Sequence, residues 1–408
     1  MTITFSSTIT IVPTTTSTIV STTSLTTIAT TPSTVLTTSS TIVSTTSLTT
    51  VTTKTTVRDL SYEESRYSNG RRPIAIAVAD VNHDNVSDVF ISYIDKFYIE
   101  ITFHGSNGTI LSRKKHHNNA AAVSIALGDI NDDNKLDIVT LNVHYGSCSV
   151  GISFNTDDGS FTIPREHRYY WNDLKSVAVV DFDGDNNLDV AIVSAADIGY
   201  GNGRIYLLRN TGGDYLACCT TYDVGRSPSS IAVDNAKVYG GLSIVVTNNG
   251  ARTVTFFRYY GIDRDLYFRH SDHLVHSPSS VGIADLNNDG HLDIVITFSD
   301  YHLVGVLLND CRGYFFPLVT YITDGWSKSV MIADLNGDYK NDIITGSFDV
   351  NTISVLLNIG NGTFLPRKTY RVSKTPQVIA IIDANNDNKP DIIYANEHSD
   401  YVGILLHC

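Results

Sequence analysis

Charge is scarce in this chain: only 17% of its 408 residues are Asp, Glu, Lys or Arg. What charge there is leans acidic, 42 carboxylates against 29 Lys and Arg, which disfavours a nucleic-acid backbone as partner. Five cysteines in 408 residues are too few and too scattered for a disulfide framework, and their spacing matches no zinc or haem site. No apolar run is long enough to span a bilayer, so no transmembrane segment is expected. The N-terminus has no basic region leading into an unbroken hydrophobic core, so no signal peptide is recognised. Runs able to form long helices are also missing. Gly, Asp, Asn and Tyr are plentiful instead, which suggests short strands joined by tight turns.

The chain divides into two regions. In residues 1–56, Thr or Ser fills 36 positions and Lys54 is the sole charged side chain. The segment Ser17–Thr27 (STIVSTTSLTT) recurs unchanged at Ser40–Thr50. So little large apolar surface cannot offset the entropy of folding. The expectation is a disordered, mucin-like stalk open to O-glycosylation.

From residue 57 to 408 one repeat governs the sequence. Six acidic loops mark it: Asp80–Asp88, Asp129–Asp137, Asp181–Asp189, Asp285–Asp293, Asp334–Asp342 and Asp383–Asp391. A degenerate copy, Asp234–Ser243, sits midway in the one double-length gap, flanked by the same apolar runs. That makes seven units with a period of about 50, each with room for four short strands. Such a unit cannot bury both of its faces alone, so neighbours must stack, and a closed ring leaves no apolar end exposed. The expected fold is all-β, a seven-bladed β-propeller. The seventh unit stops at Cys408 after its third strand, while Tyr67 precedes Pro73 by the interval that separates Tyr370 from Pro376. Residues 60–67 are therefore expected to supply the missing outer strand and close the last blade.

Each acidic loop keeps oxygen-bearing side chains at positions 1, 3, 5 and 9. These are Asp80, Asn82, Asp84 and Asp88; Asp129, Asn131, Asp133 and Asp137; Asp181, Asp183, Asp185 and Asp189. The later three supply Asp285, Asn287, Asp289 and Asp293; Asp334, Asn336, Asp338 and Asp342; Asp383, Asn385, Asp387 and Asp391. Hard oxygen donors converging from a tight loop suit Ca²⁺ better than the strict octahedron of Mg²⁺. About six structural calcium sites are expected, and none at the degenerate copy, where Ala236 and Val238 replace ligands. Position 6 must tolerate positive φ. It is Asn85, Asn134, Asn186, Gly290 and Asn388 in five loops, and the less comfortable Tyr339 in the remaining one. The loops hold 20 of the 42 carboxylates, and six divalent cations would nearly cancel a formal charge of −13.

At these residues the chain resembles FG-GAP/VCBS-type repeat proteins, whose relatives include the calcium-binding propellers of integrin α subunits. The pattern D-x-[DN]-x-D-[GN]-x-x-D between apolar strands carries the resemblance; the Phe-Gly and Gly-Ala-Pro elements are mostly absent. The resemblance implies calcium loops on one face and ligands on the other. On this chain that opposite face holds Trp171 and Trp326, together with Tyr145, Tyr200, Tyr301, Tyr401, His144 and His302. The expected function is an extracellular or cell-surface recognition or adhesion module, a monomeric propeller binding a protein or glycan. The alternatives are a structural repeat protein of a coat or matrix and, less well supported, a propeller-based hydrolase or lyase. Sequons at Asn85, Asn107 and Asn361 are compatible with glycosylation.

Overall fold

The computed structural model describes residues 60–407 except 69–71, 145–146, 157, 170–172, 196–200, 213–215, 218–219, 235–241, 260–265, 313, 396–397 and 399–400. The Thr/Ser-rich segment lies outside the described residues. The rest forms seven four-stranded antiparallel sheets, the expected seven-bladed propeller.

Blade one shows the plan. Its strands Pro73–Ala79, Asp88–Tyr93, Tyr98–His104 and Ile110–His117 pair in sequence order. The inner strands are buried on both faces and the outermost is mostly exposed. That gradient explains the sequence: continuous apolar runs near the axis, alternating polar ones at the edge. The first strands of the seven blades begin at Pro73, Ala121, Leu174, Pro228, Pro278, Ser327 and Val378, and each touches the first strand of the next. Val378–Ile382 in turn contacts Pro73–Ala79, so the ring is shut.

Seven apolar clusters fill the seven junctions between blades. Phe90, Ile101 and Phe103 meet Ile125 and Ile138 at the first, and Val378, Ile393 and Ile404 meet Ile76, Ile91 and Tyr93 at the last. Closure follows the sequence expectation: Tyr62–Ser68 pairs antiparallel with Tyr401–His407 as the outer strand of blade seven. A half-buried polar clasp reinforces it. Glu64 accepts hydrogen bonds from the Ser373 amide (3.0 Å), the Ser373 hydroxyl (2.7 Å) and the Tyr394 hydroxyl.

Of the cysteines, Cys148 and Cys311 carry free thiols, and Cys218, Cys219 and Cys408 lie outside the described residues.

Candidate metal loops and the opposite rim

The acidic loops all join the first strand of a blade to the second, so they share one face of the ring. Position 6 has positive φ in all six: 63° at Asn85 and Asn134, 74° at Asn186, 82° at Gly290, 62° at Tyr339 and 60° at Asn388. Position 4 does too, at His83, Asp132, Gly184, Asn288, Gly337 and Asn386. Two left-handed residues curl the loop so that its amides point inward.

In the first loop, Asp80 accepts the amides of Asp84 (3.2 Å) and Asn85 (2.8 Å), and Asp84 accepts that of Val86 (2.8 Å). The same bonds recur at Asp129 (3.0 and 2.6 Å), Asp285 (3.2 and 2.8 Å) and Asp383 (3.0 and 2.9 Å). A carboxylate oxygen that accepts one N–H keeps a further lone pair, so these donors remain suited to a hard cation. In the third loop Asp181, Asp183 and Asp189 bring carboxylate oxygens within 4.8 Å of one another, the one such cluster among the described residues. The difference is chemical: position 3 is Asp183 here and an asparagine in the other five loops. Arg209 Nε, 2.9 Å from Asp183 Oδ2, offsets part of that charge.

Position 9 is buried in every one of the six loops. At Asp88 its carboxylate takes the position-2 amide of Val81 (3.3 Å), and in the other five loops it takes one amide from position 2 and one from the far end of the third strand. Asp137 accepts from Ile130 (2.9 Å) and Asn155 (2.9 Å), Asp342 from Leu335 (3.0 Å) and Asn358 (2.8 Å), Asp391 from Ala384 (2.9 Å) and His407 (2.7 Å). Burial, helped by the neighbouring loop carboxylates and opposed by these amides, pushes the carboxyl groups up. They reach about 7 at Asp88, Asp137 and Asp342, about 8 at Asp189, and about 6 at Asp293 and Asp391.

The structure adds a set of residues the sequence reading missed. Asn155, Asn210, Asn309 and Asn358 follow the third strands of blades two, three, five and six. The amide nitrogen of Asn155 donates to Leu136 O (3.3 Å) in its own blade and to Val81 O (2.9 Å) in the preceding one. Asn210 bridges Leu188 O and Ile130 O, and Asn358 bridges Asn341 O and Leu286 O, in the same way. A recurring asparagine 16 to 21 residues after the ninth-position aspartate was the available signal.

On the other face, two of the six aromatic residues named from sequence come together. Tyr301 lies between the second and third strands of blade five, and Trp326 just before the first strand of blade six. With Asp300, His302 and Leu303 they line an open groove of about 350 Å³. Tyr301 is 52% and Trp326 41% exposed, large values for such rings. His276 lies tilted against Tyr301 (centroids 3.7 Å apart), His302 meets Trp326 edge-on at 6.1 Å, and Phe348 backs Trp326 at 5.9 Å. The Trp326 amide donates to Asp349 Oδ1 (2.9 Å), which holds that turn in place. His276, Phe348 and Asp349 belong to loops without periodicity, and no sequence signal marked them. His144 sits elsewhere, at the end of a strand in blade two, bound to Ser149 Oγ at 3.0 Å. Tyr401 starts the third strand of blade seven, and Trp171, Tyr145 and Tyr200 lie outside the described residues.

Comparison with known proteins agrees with this architecture. Residues 285–345 and 334–394 match the FG-GAP-like repeat, covering blades five to seven in part. No curated protein sequence matches the chain. Among solved structures, BBS1N in complex with ARL6DN superposes with a TM-score of 0.56 at 13% identity, over 85% of this chain and 96% of that one. A likeness at that identity speaks for the fold alone. A lectin from Agrocybe aegerita, described as recognising non-reducing terminal N-acetylglucosamine, gives a TM-score of 0.47 at 18% identity, over 83% and 87% of the two chains.

Proposed function

We propose that this chain is a calcium-stabilised recognition module that binds a saccharide through the blade five to six groove, on the face away from the acidic loops. The observation that carries the reading is the pairing of Tyr301 and Trp326, exposed and yet fixed in position by His276, Phe348 and Asp349. A flat ring face held in place stacks on the C–H face of a sugar with little entropy to lose, and the Asp300 carboxylate beside it can accept sugar hydroxyls. The groove is open and shallow, a shape for holding rather than enclosing a reacting bond. BBS1N, which shares the fold, was itself solved with a partner bound.

Calcium enters as the stabiliser. The oxygen donors at positions 1, 3, 5 and 9, with the backbone carbonyl at 7, would hold one ion per loop at the six loops. The third, with its carboxylate at position 3 and Arg209 alongside, is electrostatically distinct from the rest. Residues 57–408 make the recognition domain, and residues 1–56 a stalk that presents it at a cell surface or outside the cell.

The test is titration of neutral oligosaccharides into the wild-type chain and into Trp326→Ala and Tyr301→Ala, followed by calorimetry or tryptophan fluorescence. Saccharide binding that each substitution weakens about tenfold supports the groove. Binding unaffected by either substitution would move the site elsewhere, and binding of a protein but no saccharide would replace the ligand class.

A further inference from the structure

The turn that carries Trp326 also carries Asp324, and Asp324 lines a separate open cavity of about 570 Å³ where blade five passes into blade six. We propose that this cavity is an oxyanion site, taking a carboxylate, sulfate or phosphate group on Arg371 and the Thr352 hydroxyl. The inference does not depend on the groove reading above.

The cavity stands on one face of blade six. The second strand, Asp342–Ser347, the third, Thr352–Leu356, and the outer one, Lys368–Arg371, pair in a fixed register. That register sets Ser347, Thr352 and Arg371 in one cross-strand row and Thr345, Ser354 and Thr369 in the next. Residues two apart on a strand share a face, so both rows look the same way. Further along that face Ile343 and Leu356 enter the apolar junction with blade five. The face therefore turns from apolar to polar toward the cavity.

The two rows differ in what they bind. Asp324 accepts the hydroxyls of Ser354 (3.0 Å) and Thr369 (2.6 Å) and Nε of Arg367 (2.7 Å). In the row nearer the strand ends, Thr352 lines the cavity at 8% exposure, and its Oγ1 has no hydrogen-bond partner. Ser347 Oγ beside it and Thr345 Oγ1 deeper in the face have none either. Arg371 is exposed and makes no hydrogen bond or ion pair among the described residues. Blade three treats the corresponding pair otherwise. There Arg204 faces Asp223 across the strands, and its Nε lies 3.3 Å from that carboxylate. In blade six the residue facing the arginine is Thr352, which carries no charge.

The charges do not balance. Asp324, with three donors already on it, stands against two guanidinium groups, Arg367 and Arg371. Asp349, in the turn before Thr352, is engaged on the groove side: it accepts the Trp326 amide (2.9 Å), and His302 Nε2 lies 3.7 Å from its other oxygen. What the face lacks is a negatively charged acceptor. The guanidinium fork fits two oxygens of a carboxylate, sulfate or phosphate, and the Thr352 hydroxyl can donate to the same group. A neutral ligand would leave the arginine uncompensated, and a metal cation would meet like charge. Val350 and Val372 supply the apolar part of the lining, which strengthens an ionic contact made against it.

The experiment titrates sulfate, phosphate and acetate separately into the full chain, with chloride at matched ionic strength as the blank, and follows the melting midpoint. A bound oxyanion should raise the midpoint progressively with its concentration. Sulfate also stabilises proteins by exclusion from their surface, so the quantity read is the difference between the wild type and Arg371→Met. Arg371→Met should lose the specific rise, and Arg371→Lys, with charge but no fork, should keep part of it. Thr352→Val should weaken the anion about threefold to tenfold and leave the anion-free midpoint unchanged or higher, because the hydroxyl it removes has no partner. The strongest of the three anions identifies the group: acetate a carboxylate, sulfate or phosphate a tetrahedral ester. Crystals of the wild type soaked in selenate, located by its anomalous signal, give a second readout that needs no variant. Selenate on Arg371 supports the site. A rise no greater than that in chloride, a rise that survives Arg371→Met, or selenate bound only elsewhere overturns it.

Discussion

Tyr339 occupies the left-handed position of its loop with φ 62° and a side chain 91% exposed, while the other loops place Asn or Gly there. A bulky residue in that conformation stores about 1–2 kcal/mol of strain, and nothing packs on its ring to offset it. Tyr339→Asn should therefore stabilise the protein by about 1 kcal/mol, read as a raised denaturant midpoint at unchanged slope; a lowered midpoint would show that the ring contributes packing. Asn358 works in the opposite sense. Its amide holds two buried carbonyls in two blades, so Asn358→Ala should cost about 2–3 kcal/mol. Asn309 holds the single carbonyl of Leu292 among the described residues, and Asn309→Ala should cost about 1 kcal/mol. Equal losses would contradict the role given to the interblade bond.

At the scale of the elements, six loops each bury a carboxyl whose proton affinity is raised by burial, to about 6 at Asp293 and Asp391 and about 8 at Asp189. Unfolded aspartate titrates near 4. Between those limits the metal-free folded chain holds more protons than the unfolded one. This stability is complete below about pH 4 and is lost as pH rises through 6 to 8. His104, His116 and His167, all lowered chiefly by burial, work the other way, but they are three groups against six. In chelator the melting midpoint should fall between pH 5 and pH 8. With calcium in excess the slope should reverse, because the ion requires the ionised loop. A midpoint in chelator that rises over that range would contradict the assignment. Much of this element was legible in the sequence: the aspartates recur at fixed intervals, and Asn85, Asn134 and Gly290 announced the left-handed position. The ninth-position aspartate was read as a ligand alone. Its second part, as acceptor for the third strand, depends on a partner 16 to 21 residues away across a hairpin of varying length, and the asparagine that recurs there in four blades was the one sign of it.

At the scale of the whole molecule, the number of blades and the closure by Tyr62–Ser68 could be read in advance because both follow from counting: seven periods, and one strand short at the end. The proposed binding face could not. Its residues, Tyr301, Trp326 and Phe348 among them, sit in connections that share no period. The two faces also differ in chemistry, with the six acidic loops at one end of the ring and the groove of Tyr301 and Trp326 at the other. Central to the account is that the acidic end is pinned by metal. The most direct measurement is a count of bound calcium per chain by native mass spectrometry, paired with thermal melts in calcium and in chelator. Close to six ions and a large drop in midpoint on chelation are the predicted result. No bound ion and an unchanged midpoint would contradict it, and would leave the hydrogen-bonded loops holding the ring unaided.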